Sequence, residues 1–240
     1  MKGIILAGGL GTRLYPLTFA TNKHLLPVYD KPIIFYPIQT LVKAGIREIL
    51  VVVSGPHAGH FLRVLKNGKD LGIKHLEYAY QEKPDGGIAD ALSLAEDFSD
   101  RGSVAVILGD NTTDADIKRN VSDFKKGAMI FLKRVREPRR YGVPEFSADH
   151  KRIKMIHEKP KNPSSDYAVT GLYIYDNTVF DKIRSLKPST RGELEVTDLN
   201  NLYLKEKKLK WRELNGFWSD AGTFDSLFEV NNYWAKRTKK

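Results

Sequence analysis

Short runs of apolar residues recur along the first 110 positions of the chain, and stretches with helical spacing lie between them. Residues 4–6, 49–53 and 104–108 are continuous apolar runs, which are typical of strands buried on both faces. Residues 33–44 carry apolar side chains at helical spacing and are followed by a glycine, which is a common helix terminator. This alternation of strands and helices predicts a parallel sheet with helices on both of its faces.

The same patterns predict further elements in the rest of the chain. Further strands are expected at residues 75–81, 128–134, 153–157, 169–175 and 209–214. Further helices are expected at residues 61–66, 88–98, 179–185, 196–207 and 223–235, with Thr197 or a neighbour as the N-cap of the fourth. Neither a repeat nor a low-complexity linker interrupts the sequence, so we predict a single domain over residues 1–240.

The first apolar run leads directly into a glycine-rich loop, AGGLGTR, at residues 7–13. Because glycine has no Cβ, the backbone N–H groups of such a loop can close around phosphate oxygens, and Arg13 and Lys23 add two cations. The loop does not fit a dinucleotide fingerprint, because Leu14 stands at the last glycine position. It does not fit a P-loop either, because no G-K-S or G-K-T string occurs. The alternative is an ordinary strand-to-helix turn.

The formal net charge is +10, from 39 Lys and Arg residues against 29 Asp and Glu residues. Such an excess suits a nucleic acid, an anionic membrane, a solvated surface or a pocket for polyanionic small molecules. The basic runs, which include residues 205–210 and 236–240, are scattered and lack alternating aromatic residues, so we expect no nucleic-acid partner.

Two features of the sequence bear on where the protein acts. No apolar stretch approaches the ~18 residues that a membrane helix needs, so we expect no membrane partner. Cysteine is absent, and Met1 and Lys2 lead straight into a strand rather than a signal peptide, so we expect a cytoplasmic protein.

Two aspartates lie in glycine-containing stretches that come after expected strands. Asp110 follows the run at residues 104–108, and Asp220 lies in the glycine-flanked stretch 216–222. Ligands of open α/β sheets bind beyond the carboxyl ends of strands, and Mg²⁺ usually takes one or two carboxylates together with phosphates and water. The sequence therefore favours a metal site, with an aspartate that caps a turn or helix as the alternative.

Three other polar residues are candidates for substrate binding. Gln81 ends a strand and could present both a donor and an acceptor to a pyrimidine base, whose close approach Gly86 would permit; a solvated turn is the alternative. Glu158 could accept from sugar hydroxyls and Lys159 could meet a sugar phosphate, or the two could form an exposed ion pair of little energetic value. The six histidines do not cluster in the sequence, so we expect no zinc site, and the absence of cysteine and of a G-x-S-x-G string argues against acyl transfer.

The strings GGLGTRLYPLT at residues 8–18 and LLPVYDKP at 25–32, with Asn22 and Lys23 between them, resemble the sugar-nucleotide pyrophosphorylases. The resemblance is closest to members that transfer a thymidylyl group from dTTP to glucose 1-phosphate in dTDP-rhamnose and polysaccharide biosynthesis. It implies a Rossmann-like α/β fold with a mixed, mostly parallel central sheet and helices on both faces. It also implies Mg²⁺ as the cofactor and a homo-oligomer. Longer members carry additional C-terminal helices, so this chain resembles the short form.

The resemblance also assigns roles to residues. Arg13 and Lys23 would be catalytic, and Asp110 and Asp220 would hold Mg²⁺. Nucleotide contacts would come from Leu6, Ala7, Gly8, Gly9, Gly11, Thr12, Arg13, Lys23, Gln81, Gly86 and Asp110. Sugar-phosphate contacts would come from Asn111, Gly142, Glu158, Lys159, Val169, Tyr173 and Arg191. A nucleotide lobe at about residues 1–112 would then precede a sugar-phosphate lobe at about 113–240.

Three questions stay open at this stage. Relatives often have Gln where Asp90 stands here, which could alter contacts near the nucleotide. Thymine differs from uracil by one methyl group, which is worth only ~1–3 kcal/mol in an apolar pocket, so transfer of a uridylyl or other nucleotidyl group is an alternative. A non-catalytic nucleotide-sugar binding protein is the alternative from a different functional class.

Overall fold

The structure is a computed structural model that describes residues 1–238, so the last two lysines of the basic run at 236–240 lie outside the described residues. Its strands are β1 (Lys2–Ala7), β2 (Pro27–Val28), β3 (Lys31–Pro32), β4 (Glu48–Ser54), β5 (His75–Gln81), β6 (Val104–Leu108), β7 (Asn111–Thr113), β8 (Ala128–Arg134), β9 (Gly142–Phe146), β10 (Ile153–Glu158), β11 (Tyr167–Tyr175), β12 (Leu209–Glu213) and β13 (Trp218–Asp220). Its α-helices are α1 (Phe35–Lys43), α2 (Ala58–Leu65), α3 (Ile88–Ser93), α4 (Lys118–Asp123), α5 (Val179–Ser185), α6 (Val196–Lys205) and α7 (Phe224–Thr238).

A seven-stranded sheet in the order β12-β8-β11-β6-β1-β4-β5 forms the centre of the fold. β1 pairs in parallel with β4 and β6, and Ile5 lies opposite Val51 on one side and Ile107 on the other. These three strands are the continuous apolar runs of the sequence, because central strands of such a sheet are covered on both faces. The parallel pairing brings the carboxyl ends of β1, β4, β5 and β6 to one edge of the sheet.

β11 is the strand that makes the sheet mixed, because it pairs antiparallel with both β6 and β8. β12 then extends the sheet in parallel with β8. The pairing with β8 is irregular between Val169 and Tyr173, where Gly171 approaches the end of β6. A single sheet thus contains strands from both sides of residue 112.

Side chains on both faces of the sheet are buried. Ile4 and Leu6 belong to the apolar cluster on one face, which α3, α5 and α6 cover. Ile5 and Ala7 belong to the cluster on the other face, which includes residues of α1 and α2. The alternation along β1 follows from the two-residue repeat of a strand, and it confirms the predicted arrangement of helices on both faces.

Several helix boundaries differ from the predictions. The helix expected at 61–66 begins at Ala58, and the helix expected at 223–235 ends at Thr238. The helix expected at 88–98 ends at Ser93, and turns follow it. The helix expected at 196–207 ends at Lys205, and its N-cap is Glu195 without a side-chain hydrogen bond. Of the two options for the cap, Thr197 is wrong and a neighbour is right, because Thr197 lies inside the helix and its hydroxyl group donates to Glu158.

Five short strands and one short helix had no clear sequence pattern: β2, β3, β7, β9, β13 and α4. Most of these elements are too short to show a hydrophobic period, and β7 finds its partner β13 about a hundred residues away. In the part of the chain that the structure describes, none of the helices has the length and apolar character needed to span a membrane.

Candidate active site

A cavity of about 310 Å³ lies at the edge of the sheet where the parallel strands end. Most of the residues proposed from the sequence line it. Those from the nucleotide and metal sets are Leu6, Gly8, Gly9, Arg13, Lys23, Gln81, Asp110 and Asp220. Those from the sugar-phosphate set are Asn111, Gly142, Glu158, Lys159, Val169, Tyr173 and Arg191. One cavity therefore brings together segments that are more than two hundred residues apart in the sequence.

Four residues of the proposed nucleotide set do not line this cavity: Ala7, Gly11, Thr12 and Gly86. Ala7 is fully buried in the core. Gly11 packs beneath Lys23, since a Cβ built on Gly11 would lie 3.2 Å from the Cβ of Lys23. Contact of these four residues with a nucleotide stays a prediction.

The glycine-rich loop folds back on the ends of β4 and β5. The Gly9 N–H donates to Ser54 Oγ at 2.9 Å, and Gly9 has a positive φ of 92° that favours glycine. A Cβ built on Gly8 would lie 2.8 Å from Gln81 Oε1, so a larger residue would collide with Gln81. The loop can approach a ligand closely because both positions lack side chains.

Arg13 follows this loop and is exposed at the cavity. Its guanidinium group makes no hydrogen bond or ion pair with the residues that the structure describes, although burial raises the pKa of Asp220 and the charge of Arg13 partly opposes that rise. The fork of donors on Arg13 is thus available to a ligand.

Lys23 and Asp110 form an ion pair on the wall of the cavity, with 2.5 Å between Lys23 Nζ and Asp110 Oδ2. Burial raises the pKa of Asp110, but the charge and the hydrogen bond of Lys23 outweigh burial and hold that pKa well below its usual value. Asn111 Nδ2 also donates to Asp110 Oδ1 at 2.9 Å. Asp110 is therefore ionised at neutral pH.

His24 lies next to this pair and is almost fully buried. Burial lowers its pKa to about 3, and the positive charge of Lys23 acts in the same direction. The neutral ring lies with Nδ1 2.6 Å from Asn22 Oδ1, an acceptor, so Nδ1 carries the proton. His24 thus adds no positive charge to the cavity at neutral pH.

Asp220 reaches the same region through the pairing of two short strands. β13 pairs antiparallel with β7, which places Asp220 opposite Asn111 and next to Asp110. Tyr141 Oη donates to Asp220 Oδ1 at 2.8 Å, and Arg140 Nη2 donates to Asp220 Oδ2 at 3.4 Å. Burial raises the pKa of Asp220, and the charge of Asp110 raises it further.

The two carboxylates converge on one point of the cavity. A Cβ built on Gly222 would lie 3.0 Å from Asp220 Oδ2 and 3.8 Å from Asp110 Oδ2. Across residues 1–238, acidic and histidine side chains form no cluster of three or more that could hold a metal by themselves. Two carboxylates are the donor set that suits Mg²⁺ when substrate phosphates and water complete the shell, so the residues fit this ion.

Acidic side chains dominate the opposite end of the cavity. Thr197 Oγ1 donates to Glu158 Oε2 at 2.5 Å. Arg191 Nη2 donates to both carboxylate oxygens of Glu195 at 2.9 Å and to Glu158 Oε1 at 3.3 Å. Arg191 is therefore held by carboxylates of the protein itself, and its contact with a sugar phosphate stays a prediction.

Lys159 has a backbone conformation that non-glycine residues rarely adopt, with φ of 43°. Its N–H donates to the carbonyl oxygen of Tyr141 at 3.0 Å, which connects this strained residue to the position just before β9. Strain of this kind persists where the surroundings impose it and is common at binding sites.

Asn111 connects the two ends of the cavity, and both polar atoms of its amide make hydrogen bonds within the protein. Besides the bond to Asp110, Asn111 Oδ1 accepts from the Gly171 N–H at 3.0 Å and from Trp218 Nε1 at 2.8 Å. A Cβ built on Gly171 would lie only 2.7 Å from Asn111 Oδ1, so this approach requires glycine. The side chain of Asn111 orients Asp110, and its proposed contact with the sugar phosphate stays a prediction.

The family model described as "Nucleotidyl transferase" matches residues 2–237. The chain belongs to the nucleotidyl transferase family. Proteins named glucose-1-phosphate thymidylyltransferase from Neisseria gonorrhoeae and Mycolicibacterium smegmatis are each 47% identical to it, and the matches cover 97% of this chain and 82% of each relative.

Solved structures agree with this membership. A Bacillus anthracis protein, assigned as a glucose-1-phosphate thymidylyltransferase and solved with sucrose, has a TM-score of 0.91 at 47% identity, over 97% of this chain and 94% of that one. A UDP-glucose pyrophosphorylase solved with UDP-glucose has a TM-score of 0.84 at 25% identity, over 98% of each chain. These neighbours confirm the predicted α/β fold.

The sequence interpretation of this nucleotidyl transferase missed several residues of the cavity. Arg140 was not among the candidate residues, because its position on Asp220 depends on a partner eighty residues away. Glu195 and Thr197 flank the start of α6, and Thr197 had been considered only as a helix cap. His24 gave no signal beyond its position next to Lys23.

Proposed function

We propose that this nucleotidyl transferase transfers a thymidylyl group from dTTP to glucose 1-phosphate and produces dTDP-glucose and pyrophosphate. The observation that carries the proposal is that one cavity joins three parts. Gln81 and the glycine-rich loop lie at one end, and Glu158 and Lys159 lie at the other. Lys23 and the converging carboxylates of Asp110 and Asp220 lie within the same cavity. Relatives at 47% identity bear the name of this reaction, which supports the choice of substrates.

The proposed reaction is a displacement at phosphorus. A phosphate oxygen of glucose 1-phosphate forms a bond to the α-phosphorus of dTTP, and the bond from that phosphorus to the β-phosphate oxygen breaks. The attacking phosphate is already ionised at neutral pH, so the step requires no general base. Positioning and positive charge should supply most of the rate enhancement, because two polyanions must approach in line.

The protein supplies that charge from Arg13 and Lys23. Arg13, which has no partner among the described residues, would bind the β- and γ-phosphates that leave as pyrophosphate. Lys23 would move its hydrogen bond from Asp110 toward the α-phosphate and the attacking oxygen. Lys159 would bind the phosphate of the sugar, and the neighbouring Glu158 would accept hydrogen bonds from the sugar hydroxyls.

Asp110 and Asp220 would hold Mg²⁺, and the bound ion would offset negative charge on the α-phosphate. Asp110 suits this role because Lys23 and Asn111 keep it ionised and oriented. Tyr141 holds Asp220 in place from the other side. In this arrangement the nucleotide contacts come mainly from residues 1–112 and the sugar contacts from residues 113–240.

Transfer of a uridylyl group is a second candidate. The solved UDP-glucose pyrophosphorylase has a similar fold, and uracil and thymine present the same hydrogen-bonding edge to Gln81. The cavity gives no reason to exclude uracil, since only the methyl group distinguishes the two bases.

The experiment is a measurement of pyrophosphate release with Mg²⁺ and glucose 1-phosphate, with dTTP, UTP, dCTP, dGTP and dATP compared in turn. Under the proposal, dTTP gives the highest kcat/KM and UTP the second highest. A higher value with UTP would keep the reaction and change the nucleotide. Absence of release with every nucleotide, tested also with other sugar 1-phosphates, would contradict the proposal and leave a binding protein.

A further inference from the structure

Asp90 is a charged side chain that lies behind the nucleotide end of the cavity and is not among the residues that line it. Its carboxylate accepts a hydrogen bond from Gln81 Nε2, with 2.7 Å between Nε2 and Asp90 Oδ2. Gln81 itself is 4% exposed and lines the cavity. Asp90 thus contacts the amide of Gln81, which is proposed to bind the base, from the protein side.

This contact fixes which end of the Gln81 amide faces the cavity. An ionised carboxylate can only accept hydrogen bonds, so the amide must turn its NH₂ group toward Asp90. The carbonyl oxygen of Gly87, 3.4 Å from Nε2, favours the same orientation. Both partners on the protein side are acceptors, and a reversed amide would place oxygen against oxygen.

The remaining atom, Gln81 Oε1, is left as an acceptor on the side of the glycine-rich loop. It lies 2.8 Å from the position that a Cβ on Gly8 would take, and Gly8 also lines the cavity. Within residues 1–238, the structure contains no hydrogen bond donated to this oxygen. An unpartnered acceptor on a nearly buried side chain calls for a donor from the ligand.

We propose that Asp90 is a specificity-determining positioning residue, which holds Gln81 as an acceptor and so selects pyrimidine bases that carry a ring N3–H. Thymine and uracil have this donor, whereas cytosine has a lone pair at N3. Cytosine would require the reversed amide, which Asp90 opposes. The inference rests on the proposed function for the identity of the ligand as a nucleotide, but it does not depend on the chemical step.

The geometry makes Asp90→Asn the informative variant. Asparagine has nearly the same shape as aspartate, but its amide can present either an acceptor or a donor to Gln81. Gln81 could then reverse and offer Nε2 to the N3 of cytosine. Asp97→Asn is the matched control, because Asp97 is exposed on the segment after the same helix and its side chain makes no hydrogen bond with any of residues 1–238.

The test is the affinity for dTTP and for dCTP, measured by titration calorimetry without Mg²⁺, on the unaltered protein and both variants. We expect the ratio of the affinity for dTTP to the affinity for dCTP to fall at least about tenfold in Asp90→Asn, mainly through tighter binding of dCTP. A site rejects a ligand strongly when binding leaves a polar group unpaired, and in the variant Gln81 can reverse and pair with cytosine. Asp97→Asn should keep the ratio of the unaltered protein. Thermal unfolding of all three proteins shows whether the fold is retained.

A ratio in Asp90→Asn within twofold of the unaltered protein would overturn the role of Asp90. If the ratio falls in Asp90→Asn but the unaltered protein releases no pyrophosphate from dTTP, the result would support the role of Asp90 and contradict the proposed reaction. Weak binding of both nucleotides to the unaltered protein would contradict both inferences. Parallel values of kcat/KM for dTTP and dCTP in an active protein should change in the same proportion as the affinities.

Discussion

Lys23 Nζ lies 2.5 Å from Asp110 Oδ2, so the cation proposed to meet the α-phosphate is also the counter-ion of a proposed metal ligand. The pair joins the segment after the glycine-rich loop to the end of β6. Both side chains are largely withdrawn from solvent, with 15% and 11% of their surfaces exposed. A phosphate or a metal ion that enters the cavity therefore competes with an existing interaction, and loss of either partner leaves a nearly buried charge.

The first prediction concerns Lys23→Ala. We expect kcat to fall by about 10²-fold or more, because a preorganised positive charge at the transferring phosphate is lost. We also expect a loss of about 3 kcal/mol in the free energy of unfolding, because Asp110 loses the partner that compensates its burial. Steady-state kinetics and urea unfolding measure the two effects. The control is Lys43→Ala, an exposed lysine at the end of α1, which should change neither quantity.

The second prediction concerns Arg13→Ala. We expect a fall of about 10²-fold or more in kcat with an unchanged free energy of unfolding, because Arg13 makes no hydrogen bond within residues 1–238. Near-normal turnover would remove Arg13 from the catalytic set. Arg136→Ala is the matched control, since Arg136 is an exposed arginine away from the cavity lining.

The third prediction concerns Asp220→Asn and the metal. We expect the Mg²⁺ concentration for half-maximal activity to rise about tenfold or more, since one of two carboxylate ligands is lost. Binding of Mn²⁺, followed by electron paramagnetic resonance without substrates, should weaken as well. An unchanged metal titration would contradict the role of Asp220. Asp225→Asn, at an exposed position in the first turn of α7, serves as the control.

The fourth prediction concerns His24 and the dependence of stability on pH. Burial lowers the pKa of His24 in the folded protein to about 3, from 6.5 in the unfolded chain. Between these values the unfolded chain binds a proton that the folded protein does not. His24 therefore contributes stability that is present above pH 6.5 and is lost as the pH falls, at up to about 1.4 kcal/mol per pH unit.

Urea unfolding at pH 6.5, 5.5 and 4.5 measures this dependence. An asparagine at position 24 can still donate a hydrogen bond to Asn22, but it has no titrating ring. His24→Asn should therefore reduce the slope of the free energy of unfolding against pH, whatever its effect on that free energy at pH 6.5. His57→Asn, which alters a half-buried histidine outside the main cavity, should keep the slope of the unaltered protein. Equal slopes in all three proteins would contradict the assignment.

The sequence by itself determined the parts of this protein that depend on local patterns. Continuous apolar runs identified β1, β4 and β6, because a central strand must present apolar side chains to both faces. The glycine-rich loop, Arg13 and Lys23 were evident from one contiguous string, and Gly109 before Asp110 indicated where the run at residues 104–108 ends. The fold class and the family follow from such strings.

Only the tertiary structure decided which side chains meet. The register between β7 and β13 brings Asp220 beside Asp110, and it lets Tyr141 and Arg140 contact Asp220. The bond from Gln81 to Asp90 likewise depends on how α3 packs behind the end of β5, so the sequence showed Asp90 only as a departure from related chains. Hydrophobic periodicity specifies which face of an element is buried, but contacts between polar side chains on distant segments depend on the strand register and helix packing that bring those segments together.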